Sequence, residues 1–242
     1  MKKIIKYLFL LTGGSFILAS CNDFLDREPL DSVTPDNFFF TENDLAAYAV
    51  KHYNFTTHEG FNAGIWKNDN ATDNQAATDY DKKWIPGQWK VPEAYDNPAS
   101  NDPWYFSTIR EANYFLETVV PRFEKGEIEG SETNIKHYIG EMYFLRAKNY
   151  LSKLETFGDF PIIKNTLPDE SESLIQASKR APRYKVAHFI LEDLDKAISM
   201  LRPGTAFNKV RIGKEMALLV KSRVALYEAT FEKYHKGTPR VP

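Results

Sequence analysis

Apolar residues in the second half of the chain recur every three or four positions, which is the spacing of packed helices. The strongest run lies between Gly140 and Phe157, where apolar side chains cover nearly the whole circumference of a helix. Such a helix is normally packed from several directions, so we predict that it is the central helix of the fold. Gly158 suits a left-handed C-terminal cap, and Pro161 prevents the helix from continuing.

Start and stop signals predict the neighbouring helices. Thr41-Glu-Asn-Asp44 is a capping signal that opens a helix, and the preceding run of three phenylalanines at 38–40 can staple that entry to the core. Asp102-Pro103 opens a further helix, with Asp as N-cap and Pro at the first position. Pro121 is expected to stop or kink this helix, and Ser131 or Thr133 caps the central one.

Two helical hairpins emerge from this pattern. We predict that the helix at 102–125 pairs with 134–157, and that 183–201 pairs with 213–236. A loop through Pro168 and Ser171 connects the two pairs. The hairpins resemble degenerate tetratricopeptide repeats, and no β pattern competes with them. The predicted class is therefore all-α, a right-handed superhelix of tetratricopeptide-like hairpins with one long irregular region.

That irregular region spans residues 55–101, where the helical spacing disappears and glycine, proline, Asp and Asn are frequent. A segment of this length inside a compact domain is uncommon, and it is usually functional or disordered. Its aromatic content argues against disorder and favours an ordered, partly buried surface loop. These aromatic residues are Trp66, Tyr80, Trp84, Trp89 and Tyr95.

The N-terminus has the pattern of an export signal. Lysines at 2, 3 and 6 precede a short apolar stretch at 7–18, which is too short and too interrupted for a transmembrane helix. The stretch ends in Leu18-Ala19-Ser20-Cys21, which matches a bacterial lipobox. We predict a signal peptide at 1–20, a lipidated tether at 21–40 beginning at Cys21, and a helical domain at 41–242. The alternative is an ordinary signal peptide with an incidental cysteine.

Composition and motif content argue against several classes of function. A formal net charge of −2 offers no basic face for nucleic acid, and the single cysteine excludes a disulfide framework or a multi-cysteine metal site. The five histidines form no metal-ligand pair at helical spacing, and neither a phosphate-binding loop nor a nucleophile elbow is present. We therefore predict no catalytic residue, no metal site and no cofactor. Acid counts alone leave a glycosidase open, whereas the acids at 69–81 lack the ordered alternation of a calcium loop.

Several sequence blocks occur together in one order. Cys-Asn-Asp-Phe-Leu-Asp follows the lipobox, and Trp104-Tyr105 precedes Ile-Arg-Glu-Ala-Asn at 109–113. Gly140-Glu141, Phe-Leu-Arg-Ala at 144–147, Phe-Gly-Asp-Phe-Pro at 157–161 and Ile-Leu-Glu-Asp-Leu-Asp-Lys-Ala-Ile at 190–198 complete the set. With these blocks the chain resembles, over essentially its whole length, the SusD/RagB family of Bacteroidetes outer-membrane lipoproteins.

The resemblance implies a non-catalytic lipoprotein on the cell surface, built on tetratricopeptide-like helices. Such proteins cap a SusC-like TonB-dependent β-barrel transporter and capture glycans, less often peptides, for import. In the family, long irregular loops hold the ligand. Because members usually run to about twice this length or more, we expect this chain to correspond to the N-terminal portion of such a protein.

The best candidate ligand site is the irregular segment. Sugars present apolar ring faces bordered by hydroxyls, so they need flat aromatic side chains together with hydrogen-bonding groups. We predict Trp84 and Asp73 as the leading ligand contacts. The other candidates are Trp66, Asp69, Asn74, Asp79, Tyr80 and Trp89. The alternative for any single tryptophan is that it pins the loop to the helices.

Other motif residues are predicted to be structural. Trp104 and Asn113 lie at helical spacing facing inward. Arg146 lies on an otherwise apolar helix, where we expect it to form a buried ion pair or to cap backbone carbonyls. A buried arginine must be paired, and Asp159 or an acid on a neighbouring helix could be the partner. Besides a glycan- or peptide-capture protein, the sequence leaves open a helical scaffold that binds a protein through the aromatic loop. An extracellular hydrolase is the more distant hypothesis.

Overall fold

The computed structural model describes residues 38–53, 85–88, 102–238 and 241. Within these residues the chain forms helices and isolated bridges, with no extended strand. The helices are α1 (Glu42–Lys51), α2 (Ser107–Lys125), α3 (Glu132–Phe157), α4 (Ser171–Ala177), α5 (Arg183–Met200) and α6 (Lys214–His235), with a 3-10 turn at Gly204–Phe207. The all-α prediction is confirmed. None of these helices combines the length and hydrophobicity of a membrane span.

Helix α3 occupies the centre of the described fold. Every residue from 137 to 147 is buried, so all sides of the helix are covered along three turns. The covering comes from α1, α2 and α5, and the contact with α5 is the most extensive. The largest fully buried side chain is Tyr150, one turn further along α3. The prediction of a central helix, made from the apolar residues around its circumference, is confirmed.

The two predicted hairpins are present. Helix α2 packs against α3, and α5 packs against α6. Gly126 ends α2 with φ 71°, a left-handed conformation that costs glycine little. Gly158 ends α3 with φ 74° and ψ −95°, so φ is positive as predicted but the cap is not the left-handed helical conformation. The fold is therefore two helical hairpins joined through the α3–α5 contact, with α1 added on the other side of α3.

The start of α1 follows the predicted capping signal. The Thr41 side chain accepts a hydrogen bond from the Asp44 backbone N–H (3.3 Å), and Asp44 Oδ2 accepts one from the Thr41 N–H (3.0 Å). Phe39, just before the cap, is completely buried, and its ring meets those of Tyr48 (5.0 Å) and Phe115 (5.3 Å) edge-on. This aromatic contact fixes the angle at which the chain enters α1.

The prediction that α2 begins at Asp102-Pro103 is wrong, because the helix begins at Ser107. Asp102 Oδ1 does accept a hydrogen bond from the Trp104 N–H (2.7 Å), but it closes a separate turn. A helix starting here would use the Pro103 carbonyl within its own ladder, whereas that carbonyl accepts from Lys153. Pro121 does not stop α2, which continues to Lys125.

The segment predicted as a loop after Pro161 contains the short helix α4. None of its seven residues is buried, and two of its apolar side chains, Leu174 and Ile175, are 42% and 59% exposed. Without a buried stripe the segment carries no helical periodicity in its sequence, which explains why the pattern did not indicate it.

Candidate functional site

The predicted ligand residues lie outside the residues that the structure describes. They are Trp66, Asp69, Asp73, Asn74, Asp79, Tyr80, Trp84 and Trp89, and the predicted lipidation site Cys21 lies outside as well. The structure does describe the chain at both flanks of the predicted binding segment. The candidate site is therefore built from these flanks and from the helix surface between them.

The first flank ends at Tyr53, directly after α1, and is anchored on α3. The Tyr53 hydroxyl donates to Glu141 Oε1 (2.5 Å) and accepts from the Ile212 N–H (3.0 Å). Glu141 is completely buried, and it also accepts from Arg211 Nε (2.9 Å) and Nη2 (2.6 Å). His137 Nε2 lies 3.0 Å from the same carboxylate. A single acid on α3 thus joins the flank, the α5–α6 connection and α3 itself.

The surroundings of Glu141 make a buried charge tolerable. Burial alone would raise the pKa of this carboxyl, but the contacts with His137, Arg211 and Tyr53 outweigh burial and hold the pKa below its usual range. For the Tyr53 hydroxyl, burial and the adjacent Glu141 charge raise the pKa. The tyrosine therefore stays protonated as the donor in this pair.

The second flank begins at Asp102 and is anchored by Lys153, about one turn before the end of α3. Lys153 Nζ donates to the carbonyl oxygens of Pro103 and Tyr105, the latter at 3.1 Å. The side chain is buried, and burial lowers the pKa of its ammonium group. The Trp104 ring lies against the ring of Phe157, tilted by 40° with the centroids 4.3 Å apart. Trp104 is therefore structural, as predicted, although it precedes the helix and does not lie in it.

The two anchors define the base of the candidate site. Glu141 and Lys153 are twelve residues apart on one helix, which corresponds to about 18 Å at 1.5 Å per residue. Both ends of the predicted binding segment are thus attached to the same rigid element. Its ends have a fixed separation, whatever conformation residues 54–101 adopt.

A cavity of about 590 Å³ opens beside the second anchor, between α1, α2 and α3. Most of the described side chains that line it carry a polar or charged group, although apolar atoms contribute as much of the exposed lining as polar atoms do. Thr108 Oγ1 donates to Asn149 Oδ1 (3.2 Å), and Asn149 Nδ2 donates to the Leu145 carbonyl (2.9 Å). The lining residues are Lys51, His52, Asp102, Pro103, Tyr105, Thr108, Glu111, Ala112, Met142, Leu145, Lys148, Asn149, Ser152, Lys153 and Thr156.

Burial affects three titratable groups of this cavity. Burial lowers the pKa of Lys148, as it does that of Lys153. Burial also lowers the pKa of His52, against the opposing effect of Glu111, whose Oε2 lies 3.4 Å from His52 Nδ1. Ammonium, amide and hydroxyl groups together supply both donors and acceptors, which is the set that the hydroxyls of a sugar require. No group of three or more metal-ligating side chains occurs among the described residues.

A second polar network explains the remaining motif residues. Arg146 donates through Nε and Nη2 to the two oxygens of Asp193 on α5, at 2.7 and 2.8 Å, and through Nη1 to Asn113 Oδ1 at 2.9 Å. Asn113 Nδ2 in turn donates to the carbonyl of Ile163 (2.9 Å). The prediction of a buried ion pair to a neighbouring helix is confirmed. Asp159, the other candidate, instead accepts from the Arg183 N–H (2.8 Å) at the start of α5.

This network holds the chain that follows Phe-Gly-Asp-Phe-Pro. Ile163 is clamped from two sides, because its N–H donates to the Tyr150 hydroxyl (2.8 Å) and its carbonyl also accepts from that hydroxyl (3.1 Å). Lys164 offers its carbonyl to Arg146 at 3.2 Å. Asn113 and Arg146 therefore hold the framework together. Burial raises the pKa of Tyr150 to about 12, so its hydroxyl stays protonated and can donate to the Ile163 carbonyl.

The sequence pattern does not identify Tyr53, Glu141, Lys153 or Arg211 as anchoring residues. A signal for two of them was present, because Glu141 and Lys153 are charged residues on the helix whose apolar residues cover nearly its whole circumference. Charged groups in such positions must find partners, so they mark points where other segments attach. Their partners lie far away in sequence, Tyr53 by 88 residues, and no local pattern could name them.

The chain is similar to one protein-family model and to several known proteins. Residues 23–226 match the family model SusD-like_3, described as starch-binding associating with outer membrane. The SusD-like proteins P2 and P38 of Formosa agariphila are 26% and 25% identical, over 89% and 94% of this chain and 42% and 43% of their own lengths. A SusD-like protein from Bacteroides fragilis, solved by crystallography, is 27% identical with a TM-score of 0.59, covering 85% of this chain and 39% of its own.

The chain spans about two fifths of the length of these curated relatives. The family match nevertheless includes every described helix except the last turns of α6.

Proposed function

Because this chain belongs to the SusD-like family, we propose that it is a glycan-binding lipoprotein of the cell surface. It captures oligosaccharides and delivers them to a SusC-like TonB-dependent transporter in the outer membrane. The N-terminal lipobox supports an anchor through acyl chains on Cys21, with the helical body outside the bilayer. The protein acts by binding, without catalysis and without a cofactor.

The observation that carries this proposal is the attachment of both ends of an aromatic-rich segment to one rigid helix. Tyr53 is held by Glu141, and Pro103 and Tyr105 are held by Lys153. The segment between them contains three of the four tryptophans of the chain. Rigid attachment lowers the conformational entropy lost on binding, so these aromatic residues suit the apolar faces of sugar rings.

The polar cavity between α1, α2 and α3 complements these aromatic residues. Asn149, Thr108 and Lys148 present hydrogen-bonding groups on the helix side of the candidate site. A sugar held with a ring face on an aromatic side chain would direct its hydroxyls toward such groups. We therefore place the ligand between the predicted segment and this surface.

Binding isotherms test the proposal directly. The chain is titrated with starch-type, other neutral and charged oligosaccharides, and with peptides as the alternative ligand class. Trp84→Ala and Asp73→Ala are expected to weaken the binding of the best glycan tenfold or more, because each removes a contact worth about 1.4 kcal/mol or more. Ile175→Ala on α4 serves as the control, since this exposed side chain is not among those that line the cavity.

Unchanged glycan affinity in both variants would contradict the assignment of Trp84 and Asp73. Binding of peptides with no glycan bound would favour the protein-binding scaffold instead. Release of products from any glycan would instead support the hypothesis that the protein is a hydrolase. Co-purification with a TonB-dependent barrel, or a gene for one beside the gene for this chain, tests the proposed partner.

A further inference from the structure

One face of α3 forms a wall of the cavity that lies beside the second anchor. From Lys148 onward, the α3 residues that line the cavity are separated by steps of one or three positions, so they share one side of the helix. They are Lys148, Asn149, Ser152, Lys153 and Thr156. All five carry a polar or charged side chain, two of them are lysines, and none is an acid. The α3 wall of the cavity is therefore cationic.

Lys153 keeps its positive charge while it holds the second flank. Its ammonium group donates to the carbonyl oxygens of Pro103 and Tyr105, which are neutral acceptors. These hydrogen bonds satisfy the donors of the ammonium group without cancelling its charge. Burial lowers the pKa of this group, and the charge of Asp102 raises it. Among the described acids, Asp102 is thus the one that stabilises this cation.

Lys148 is the second cation of this wall. It precedes Lys153 by five residues, which corresponds to about 7.5 Å along the helix axis. Its side chain is half-buried, and burial lowers the pKa of its ammonium group. Opposite charges attract more strongly where burial lowers the effective dielectric constant. An anion that enters the cavity would therefore be held more firmly by Lys148 than by a lysine on an open surface.

The acids of the wall do not balance its lysines. The described charged side chains that line the cavity are Lys51, Lys148 and Lys153 against Asp102 and Glu111. Glu111 lies next to the end of α1, with Oε1 3.6 Å from Lys51 Nζ and Oε2 3.4 Å from His52 Nδ1. Because the whole chain has a formal net charge of −2, the excess of lysines here does not follow from its composition.

His52 adds a hydrogen-bonding group to the lining of the same cavity. Its side chain is 9% exposed, and its Nε2 has no hydrogen-bond partner among the described residues. A buried polar atom without a partner is unfavourable, so this position favours a ligand that brings a hydroxyl group to it. Cations together with hydrogen-bonding groups match a sugar unit that carries both an anionic group and hydroxyls.

Given glycan capture as the proposed function, on which this inference rests, we propose that the cavity binds an acidic sugar unit. The carboxylate or sulfate group of this unit pairs with Lys148, and its hydroxyls meet Thr108, Asn149 and Ser152. The cavity volume of about 590 Å³ lies in the ordinary range for small-molecule sites. Starch-type glycans carry no charge, so the cationic wall selects a different class of ligand.

Matched pairs of ligands test the role of charge. Oligogalacturonates serve as the carboxylate probe, and oligosaccharides of a sulfated galactan serve as the sulfate probe. Each is compared by calorimetric titration with its neutral form, prepared by carboxyl reduction or by desulfation. We expect the neutral form of the preferred probe to bind about tenfold more weakly or worse. The pair with the larger difference identifies which anionic group the cavity takes.

Variants of Lys148 test where the anionic group binds. Lys148→Met removes the charge but keeps the aliphatic stem, so it should weaken the charged probe about tenfold and change the neutral form less than about twofold. Lys148→Arg keeps the charge and should retain most of the affinity. Lys136→Met, on α3 but outside the cavity lining, is the matched control and should change neither. A merely structural role of Lys148 would weaken both forms equally, and the cycle of variant and ligand separates the two roles.

The outcomes distinguish this inference from the proposed function. Tightest binding of a neutral glycan, equal binding of the charged and neutral forms, or equal weakening of both forms by Lys148→Met would each overturn the inference. In these cases glycans still bind, so the proposed function stands. Failure to bind any glycan would overturn both. The comparison of ligands on the native protein does not depend on the folding of any variant.

Discussion

At the scale of single residues, buried charges on α3 determine how distant segments attach. Glu141 connects to Tyr53 and Arg211, and Arg146 connects to Asp193 on α5. Each charge is paired and hydrogen-bonded, which is the condition for keeping an ion out of water. Because one helix carries both, a substitution at either position affects several parts of the fold at once.

Glu141→Gln should lower the stability of the protein at neutral pH and change its dependence on acid. At neutral pH the substitution leaves the largely buried Arg211 guanidinium without its carboxylate, at a cost of about 3–5 kcal/mol. The folded-state pKa of Glu141 lies below its usual value of 4.5, so the folded protein binds fewer protons there than the unfolded chain. The stability that this group contributes is therefore complete above pH 4.5 and is lost as the pH falls through the folded-state pKa.

Thermal unfolding from pH 3 to pH 7 measures both effects. The native protein should lose stability in acid more steeply than the Glu141→Gln variant. Glu192→Gln, at an exposed position of α5, is the control and should keep the acid dependence of the native protein. Parallel curves for the native protein and Glu141→Gln would contradict the assigned role.

At the scale of elements, the helix ends that the sequence predicted correctly are those set by residues close to them in the chain. Thr41 with Asp44, Gly126 and Gly158 mark helix ends through hydrogen bonds or backbone conformations that involve only nearby residues. The start of α2 was predicted four residues early, because Lys153, fifty residues away, takes the Pro103 carbonyl. Helix α4 was missed since it buries nothing. The anchors of the candidate site were missed for the same reason as the start of α2, because their partners are distant.

The contact between α3 and α5 depends on a glycine. A Cβ atom at Gly140 would lie 3.1 Å from Leu201 Cγ and from Met200 Cβ, and 3.2 Å from the Leu201 backbone nitrogen. Gly140→Ala improves helix propensity by about 1 kcal/mol, which partly offsets this crowding. Gly140→Val adds two more methyl groups at the same point and should lower the free energy of unfolding by about 1–3 kcal/mol.

Urea denaturation of the Gly140 variants checks this expectation. Thr133→Val, in the exposed first turn of α3, is the control for placing valine in the same helix and should cost little. If Gly140→Val were as stable as the native protein, α3 and α5 would have room to separate without loss, and the close contact would not matter for stability.

At the scale of the whole molecule, the lipid anchor proposed at Cys21 would determine where the helical domain is located. If Cys21 is lipidated, Cys21→Ser should abolish palmitate incorporation and move the protein from the membrane fraction to the soluble one, because the acyl chains provide the attachment. Radiolabelled palmitate and fractionation measure this, and globomycin should block processing of the native precursor. A Cys21→Ser protein that stays labelled and membrane-bound would disprove the anchor.

The double attachment of the predicted binding segment to α3 has a consequence for how specificity changes among relatives. Loop closure depends only weakly on length, so insertions between fixed ends cost little stability. Residues 54–101 begin after Tyr53 and end before Asp102, and the anchors Glu141 and Lys153 lie on the framework helix. The sequence and length of this segment can therefore change, and with them the ligand that is recognised. The helices to which its ends are attached can stay the same.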